Sequence, residues 1–145
     1  MKISVLTQDL SHNCLGRAWL LADILQRHYE VEIVGPVLGD GIWEPLRNTQ
    51  IQIKAVPGGK TPRFMFHIPK YLNKITGDVI YASKPMFTSY DIGLLKRAIS
   101  NKPLVLDIDD WQLGFKKTNS GDNKKNYYQR IRSFLGSVKS SMLNP

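Results

Sequence analysis

The residues best placed to do chemistry are three carboxylates, Asp107, Asp109 and Asp110, which follow the apolar run LVL at residues 104–106 and surround Ile108. A parallel α/β sheet carries its chemistry just beyond the carboxyl ends of its strands. A strand over residues 104–108 therefore delivers Asp107 to Trp111 to a functional rim. There Asp109 and Asp110 can contact ligand hydroxyls or order the loop through Asx-type hydrogen bonds. Ordinary strand-end turn chemistry accounts for the same residues.

A second candidate is the first loop, Gln8 to Asn13, and the residues that follow it, Cys14, Leu15 and Gly16. In such a sheet the first strand feeds a helix N-terminus, where free backbone N–H groups and the helix dipole favour a phosphate. Gly16 admits close approach of a ligand or of another backbone; G-x-G-x-x-G is absent, and a packing glycine is the plain alternative. Gly59, Lys60 and Thr61 echo the end of a P-loop, but the position five residues before Gly59 is Lys54, so the motif is rejected. The histidines His12, His28 and His67 lack metal-ligand spacing, and no cysteine cluster accompanies them, so no metal is expected. Only His12 falls in a rim loop.

The elements that must position these residues alternate between strand and helix. Residues 3–6 read as a buried strand, and residues 29–34 as a second one closed by Gly35 and Pro36. Residues 51–56 and 78–82 supply a third and a fourth. Between the first two, Leu15, Ala18, Leu21, Ala22 and Leu25 recur at helical spacing. Residues 37–50 read as a loop with one helical turn near Trp43 to Leu46. Thr61 and Pro62 form an N-cap and first helical position, and Pro69 breaks that helix or starts it near Ile68. Residues 88–100 form a helix with Ile92, Leu95 and Ile99 on one side. After a polar loop at residues 116–125, Tyr127, Ile131, Phe134, Leu135 and Val138 mark an amphipathic helix. The order predicts one Rossmann-like domain over residues 1–145, a doubly wound parallel α/β sheet.

Composition fixes the setting. A chain of 145 residues buries about 70% of its unfolded surface, and 42% hydrophobic content excludes disorder. The lone Cys14 excludes an internal disulfide and fits a reducing compartment. No run approaches a membrane span, so a cytoplasmic protein is expected, with the inner membrane face as a possible peripheral site. Of the net charge of +8, +6 lies after Asp110, where seven basic residues meet only Asp122. That field favours anionic partners, an acidic membrane surface among them, and a solvated basic helix face is the equal alternative. The interleaved basic and apolar residues 63–72 could enter a membrane interface or pack a helix on the sheet. Nucleic acid is not expected: Tyr127 and Tyr128 beside Arg130 and Arg132 hint at it, but they begin the apolar stripe.

Two resemblances follow from quoted segments. LVLDIDD is similar to the first motif of haloacid-dehalogenase-like phosphatases, which implies a nucleophile at Asp107 and an acid–base group at Asp109. Trp111 stands where that family usually has Thr or Val, and the motif normally opens its domain. The second resemblance covers residues 1–115: ISVLT, the Gly16 loop and helix, LLADILQRHYEVEIVGP, DVIYASKP and KPLVLDIDDW. This order resembles the N-terminal domain of glycosyltransferase family 4, one half of the two-domain GT-B fold. The resemblance implies an acceptor-side domain whose first loop (Cys14, Leu15, Gly16) approaches a donor diphosphate. It places the family's His-Asp pair on Asp109 and Asp110, with Asp109 replacing the histidine. It sets Ser83, Lys84 and Pro85 on the acceptor rim, where His12 and Trp111 also belong. It further implies a nucleotide-sugar co-substrate, no tightly bound cofactor, a glycan or lipid-linked acceptor, and a role in cell-surface polysaccharide or glycolipid synthesis. The donor-binding half, with its two glutamates eight apart, finds no counterpart in these residues. It is expected on a further domain or a partner subunit, and this chain alone is expected to be inactive. A non-catalytic module for anionic lipid or a partner protein is the remaining alternative.

Overall fold

The computed structural model describes residues 1–59 and 63–108, all within the unit Met1–Asp109. Five strands, β1 (Lys2–Leu6), β2 (Glu30–Val37), β3 (Gln52–Pro57), β4 (Val79–Ala82) and β5 (Leu104–Leu106), form one sheet in the order β3-β2-β1-β4-β5. Every pairing is parallel. Three helices connect them: α1 (Cys14–Leu25), α2 (Ile68–Lys74) and α3 (Ile92–Ser100). This is the expected α/β Rossmann-like sheet.

The two-residue alternation of the strands divides the core. Ile3, Val5 and Ile33 face α1 and pack with Leu15, Ala18 and Ala22. Leu6, Val34, Val56 and Ile80 face the other way, onto Ile68, Tyr71 and Ile92. Each fully buried Val, Leu or Ile side chain contributes about 1.5–3 kcal/mol by leaving water. Tyr71 is fully buried, and its hydroxyl donates to the Thr88 carbonyl at 2.7 Å. The opposite end of the second face is polar. Glu32 is fully buried, yet Ser4, Thr76, Lys2 and Lys54 all meet its carboxylate.

Several boundaries differ from expectation for local reasons. Gly35 and Pro36 do not close β2 but lie inside it, paired with Ala55 and Val56. The carbonyls of Val34 and Pro36 both turn toward the β1 side, accepting from Thr7 and Leu10. A residue's N–H and C=O share a side in a strand, so the missing Pro36 donor falls where β1 has already ended. Glycine at 35 has a separate cause: a Cβ there would lie 2.5 Å from Thr7 Cγ2. The expected helix over 88–100 begins as a π-helical turn, Phe87–Asp91, and α3 follows it. It ends on Asn101 at φ 54°, a left-handed cap that asparagine tolerates. Ile99 is 48% exposed, not buried, because α3 covers the edge pair β4 and β5 mainly through Ile92, Gly93 and Leu95. The turn near Trp43 is 3₁₀, Glu44–Leu46, and a second 3₁₀ stretch, Arg63–His67, leads into α2 at Ile68. The expected cap Thr61–Pro62 and everything from Asp109 onward, including the loop at 116–125 and the helix from Tyr127, lie outside the described residues.

Candidate functional site

Strand order reverses on either side of β1 and β4, since β1 leads to β2 and β4 leads to β5 in opposite directions. Ligands of open α/β sheets bind at that switch point, beyond the strand ends. The loops that flank it follow β1 and β4. Thr88 ties them together, its hydroxyl donating to the Gln8 carbonyl at 2.7 Å. The loop after β2 joins the same rim, where the Gly39 N–H donates to Ser11 Oγ at 2.9 Å.

The centre of the first loop is Asp9, which was not among the residues singled out from sequence. It is 5% exposed, and its Oδ1 accepts from the N–H groups of Ser11 (2.9 Å) and Leu38 (3.1 Å). Its Oδ2 meets His12 Nδ1 at 2.5 Å. Burial pushes the Asp9 carboxyl up, but these donors outweigh it and hold it below its ordinary range. An ionised Asp9 only accepts, so His12 Nδ1 carries the proton. The His12 side chain is 67% exposed, and Nδ1 is the ring nitrogen engaged by Asp9. The sequence signal was available: Asp-x-x-His in a loop after a buried strand.

Cys14, Leu15 and Gly16 form the first turn of α1. The Cys14 thiol donates to the Asp9 carbonyl at 3.2 Å. Burial, then the Asp9 charge, raises its pKa, so it is a protonated structural thiol. The Leu15 and Gly16 N–H groups bond to the carbonyls of His12 (3.0 Å) and Asn13 (2.9 Å), so neither amide is left over for a diphosphate. A Cβ on Gly16 would lie 3.1 Å from the Trp43 ring, so the glycine serves helix–loop packing.

Ser83 is buried and continues the β4 ladder, its N–H bonding the Leu6 carbonyl at 3.0 Å. Lys84 is half-buried and Pro85 exposed, and Ser89 Oγ donates to the Lys84 carbonyl at 2.6 Å. The structure thus sets His12 in the loop after β1 and Ser83, Lys84 and Pro85 in the loop after β4, at the carboxyl ends of neighbouring strands. Asp107 closes β5 and accepts from Arg17 of α1, from Nη2 at 2.6 Å and from Nε at 3.1 Å. Arg17, also missed in the sequence, lies near a helix N-terminus that disfavours a cation, and Asp107 offsets that. The pairing engages Oδ2 of Asp107. Asp109, Asp110 and Trp111 lie outside the described residues.

Among the described residues, no three His, Cys, Asp or Glu side chains gather to hold a metal ion, and no helix is long and apolar enough to cross a membrane. Comparison with protein-family models, with curated proteins and with solved structures finds no match to this chain.

Proposed function

We propose that this chain is the acceptor-side domain of a nucleotide-sugar-dependent glycosyltransferase, working in cell-surface polysaccharide or glycolipid synthesis at the cytoplasmic face of a membrane. The observation that carries it is the polar rim at the β1/β4 switch point, where the loop of His12 after β1 and the loop of Ser83 and Lys84 after β4 are joined by the Thr88–Gln8 hydrogen bond. A hydroxyl-rich acceptor fits that rim: an exposed imidazole accepts its hydrogen bonds and a lysine donates them. Transfer also needs a group that holds the departing diphosphate, because catalysis of this kind rests on positioning and on stabilising that charge. The Leu15 and Gly16 amides are engaged, so that duty falls to a donor-binding half on a further domain or a partner subunit. The basic residues after Asp110 suit an anionic membrane surface or a lipid-diphosphate acceptor.

The test is to incubate the purified 145-residue protein with nucleotide sugars and to follow both transfer and donor hydrolysis. No turnover is expected from this chain alone, and robust turnover overturns the division of labour. Saturation-transfer NMR with oligosaccharides completes it. Glycan contacts that weaken in Lys84→Ala support the acceptor role; absence of any glycan contact removes it.

A further inference from the structure

We propose that Asp9 and His12 form a proton-accepting dyad for a substrate hydroxyl. Three features built into the loop point to it. Asp9 is buried but ionised, held by the Ser11 and Leu38 N–H groups. Its second oxygen accepts a hydrogen bond from the His12 Nδ1–H at 2.5 Å. The imidazole side chain is otherwise 67% exposed, and its loop follows β1, one of the two strands of the switch point. The Ser11 and Leu38 amides both bond Oδ1, so His12 is the partner of Oδ2, and a buried carboxylate oxygen is thereby tied to a solvent-exposed ring.

The consequence is chemical. With the proton fixed on Nδ1, Nε2 carries the lone pair and can accept a proton. A hydroxyl bonded to Nε2 gives up that proton as its oxygen forms a bond to an electrophilic carbon. The bond from that carbon to the leaving group breaks, and the leaving group departs with the electron pair. The imidazolium that results is neutralised by Asp9. On the transferase reading, on which this step rests, the hydroxyl belongs to the acceptor, the carbon is the anomeric carbon of a nucleotide sugar, and the leaving group is the nucleoside diphosphate. His12 is then the catalytic group and Asp9 a positioning residue. The titratable neighbours are Asp9 on the same loop and Cys14 on α1. From β2, the Gly39 turn approaches the ring, a Cβ there lying 3.5 Å from His12 Cε1, and Asp40 follows it in sequence.

Two measurements on the intact chain test the dyad without any transfer assay. Long-range ¹H–¹⁵N NMR near pH 8 reads the neutral tautomer of each histidine. The Nδ1–H form is expected for His12; an Nε2–H form overturns the proposal in the wild-type protein alone. Diethyl pyrocarbonate, which acylates the unprotonated ring nitrogen, is the second probe. His12 is expected to react several-fold faster than His28, which is also exposed, and Asp9→Asn should abolish that advantage. Equal rates, unchanged by Asp9→Asn, refute the dyad. Failure of these tests leaves the acceptor-domain reading standing, and failure to bind glycans leaves the dyad standing.

Discussion

The sharpest physical prediction concerns Glu32, a carboxylate with no exposed surface in the middle of β2. Its oxygens meet Lys54 Nζ at 2.7 Å and Lys2 Nζ at 3.0 Å. They also accept from Ser4 Oγ at 2.6 Å, Thr76 N–H at 2.9 Å and Thr76 Oγ1 at 2.8 Å. Burial alone would push the carboxyl up; Lys54 first, then Ser4 and Thr76, hold it at about 2 against an ordinary 4.5. At about 1.36 kcal/mol per pH unit, that difference is worth about 3 kcal/mol of folding stability. The folded-state value is depressed, so the contribution is complete above pH 4.5 and disappears as pH falls toward 2. Glu32→Gln removes the charge and leaves two ammonium groups facing an amide. Breaking a buried pair in this way costs about 3–5 kcal/mol, and the two lysines, 21% and 22% exposed, recover part of it from water. Urea unfolding followed by tryptophan fluorescence should therefore show the variant about 3 kcal/mol less stable at pH 7, a midpoint lower by about 1–3 M. The gap should narrow steadily between pH 4.5 and 2. A gap that stays constant over that range, or none at pH 7, refutes the electrostatic account.

The other predictions concern packing and reactivity. Gly58→Ala would set a Cβ 2.0 Å from the Val37 carbonyl oxygen, a backbone atom that cannot swing aside, so a loss of at least about 1–3 kcal/mol in thermal or urea unfolding is expected. Tyr71→Phe removes the buried hydroxyl's bond to the Thr88 carbonyl and should cost about 1–2 kcal/mol by the same measurement. Cys14 should react with iodoacetamide at pH 7.5 more slowly than free cysteine, since burial and Asp9 keep it protonated; a rate at or above that of the free amino acid contradicts the environment described.

Much of the sheet was legible because its strands are short apolar runs bounded by turn residues. ISVL, VEIV and VIYA fall within β1, β2 and β4, and α1 carries the three-and-four spacing of Leu15, Ala18 and Ala22. Gly35–Pro36 misled because a local turn signal was overridden by a tertiary circumstance, the departure of β1, that no neighbouring residue announces. The π-helical turn at Phe87–Asp91 was equally hidden: the Ser89, Tyr90 and Asp91 N–H groups all converge on the Met86 carbonyl, while the apolar pattern there remains helical. The site was read less well than the fold. His12 and the Ser83–Pro85 loop were reachable from strand order, whereas the Arg17–Asp107 pair joins residues 90 apart in sequence. Gly16 was ambiguous because a glycine that admits a phosphate and a glycine that admits Trp43 look alike until the loop partner is known.

The charges at the two ends of the sheet are arranged for different purposes. At the amino ends of the strands, Glu32 is shut away with Ser4, Thr76, Lys2 and Lys54, and every partner it holds is part of the fold. At the carboxyl ends, Asp9 is equally buried but spends one oxygen on a side chain that is two-thirds in water. Burying a carboxylate is costly unless it is fully bonded, and both sites meet that condition. Only the second does so by holding an exposed, titratable ring in place. The ends should therefore separate by experiment. Changes at Glu32 should move stability and its acid dependence while leaving the reactivity of His12 alone. Changes at Asp9 should move the His12 tautomer and acylation rate by more than their effect on the urea midpoint explains. If both sites changed stability alone, the polar rim would be scaffold and the case for chemistry there would fall.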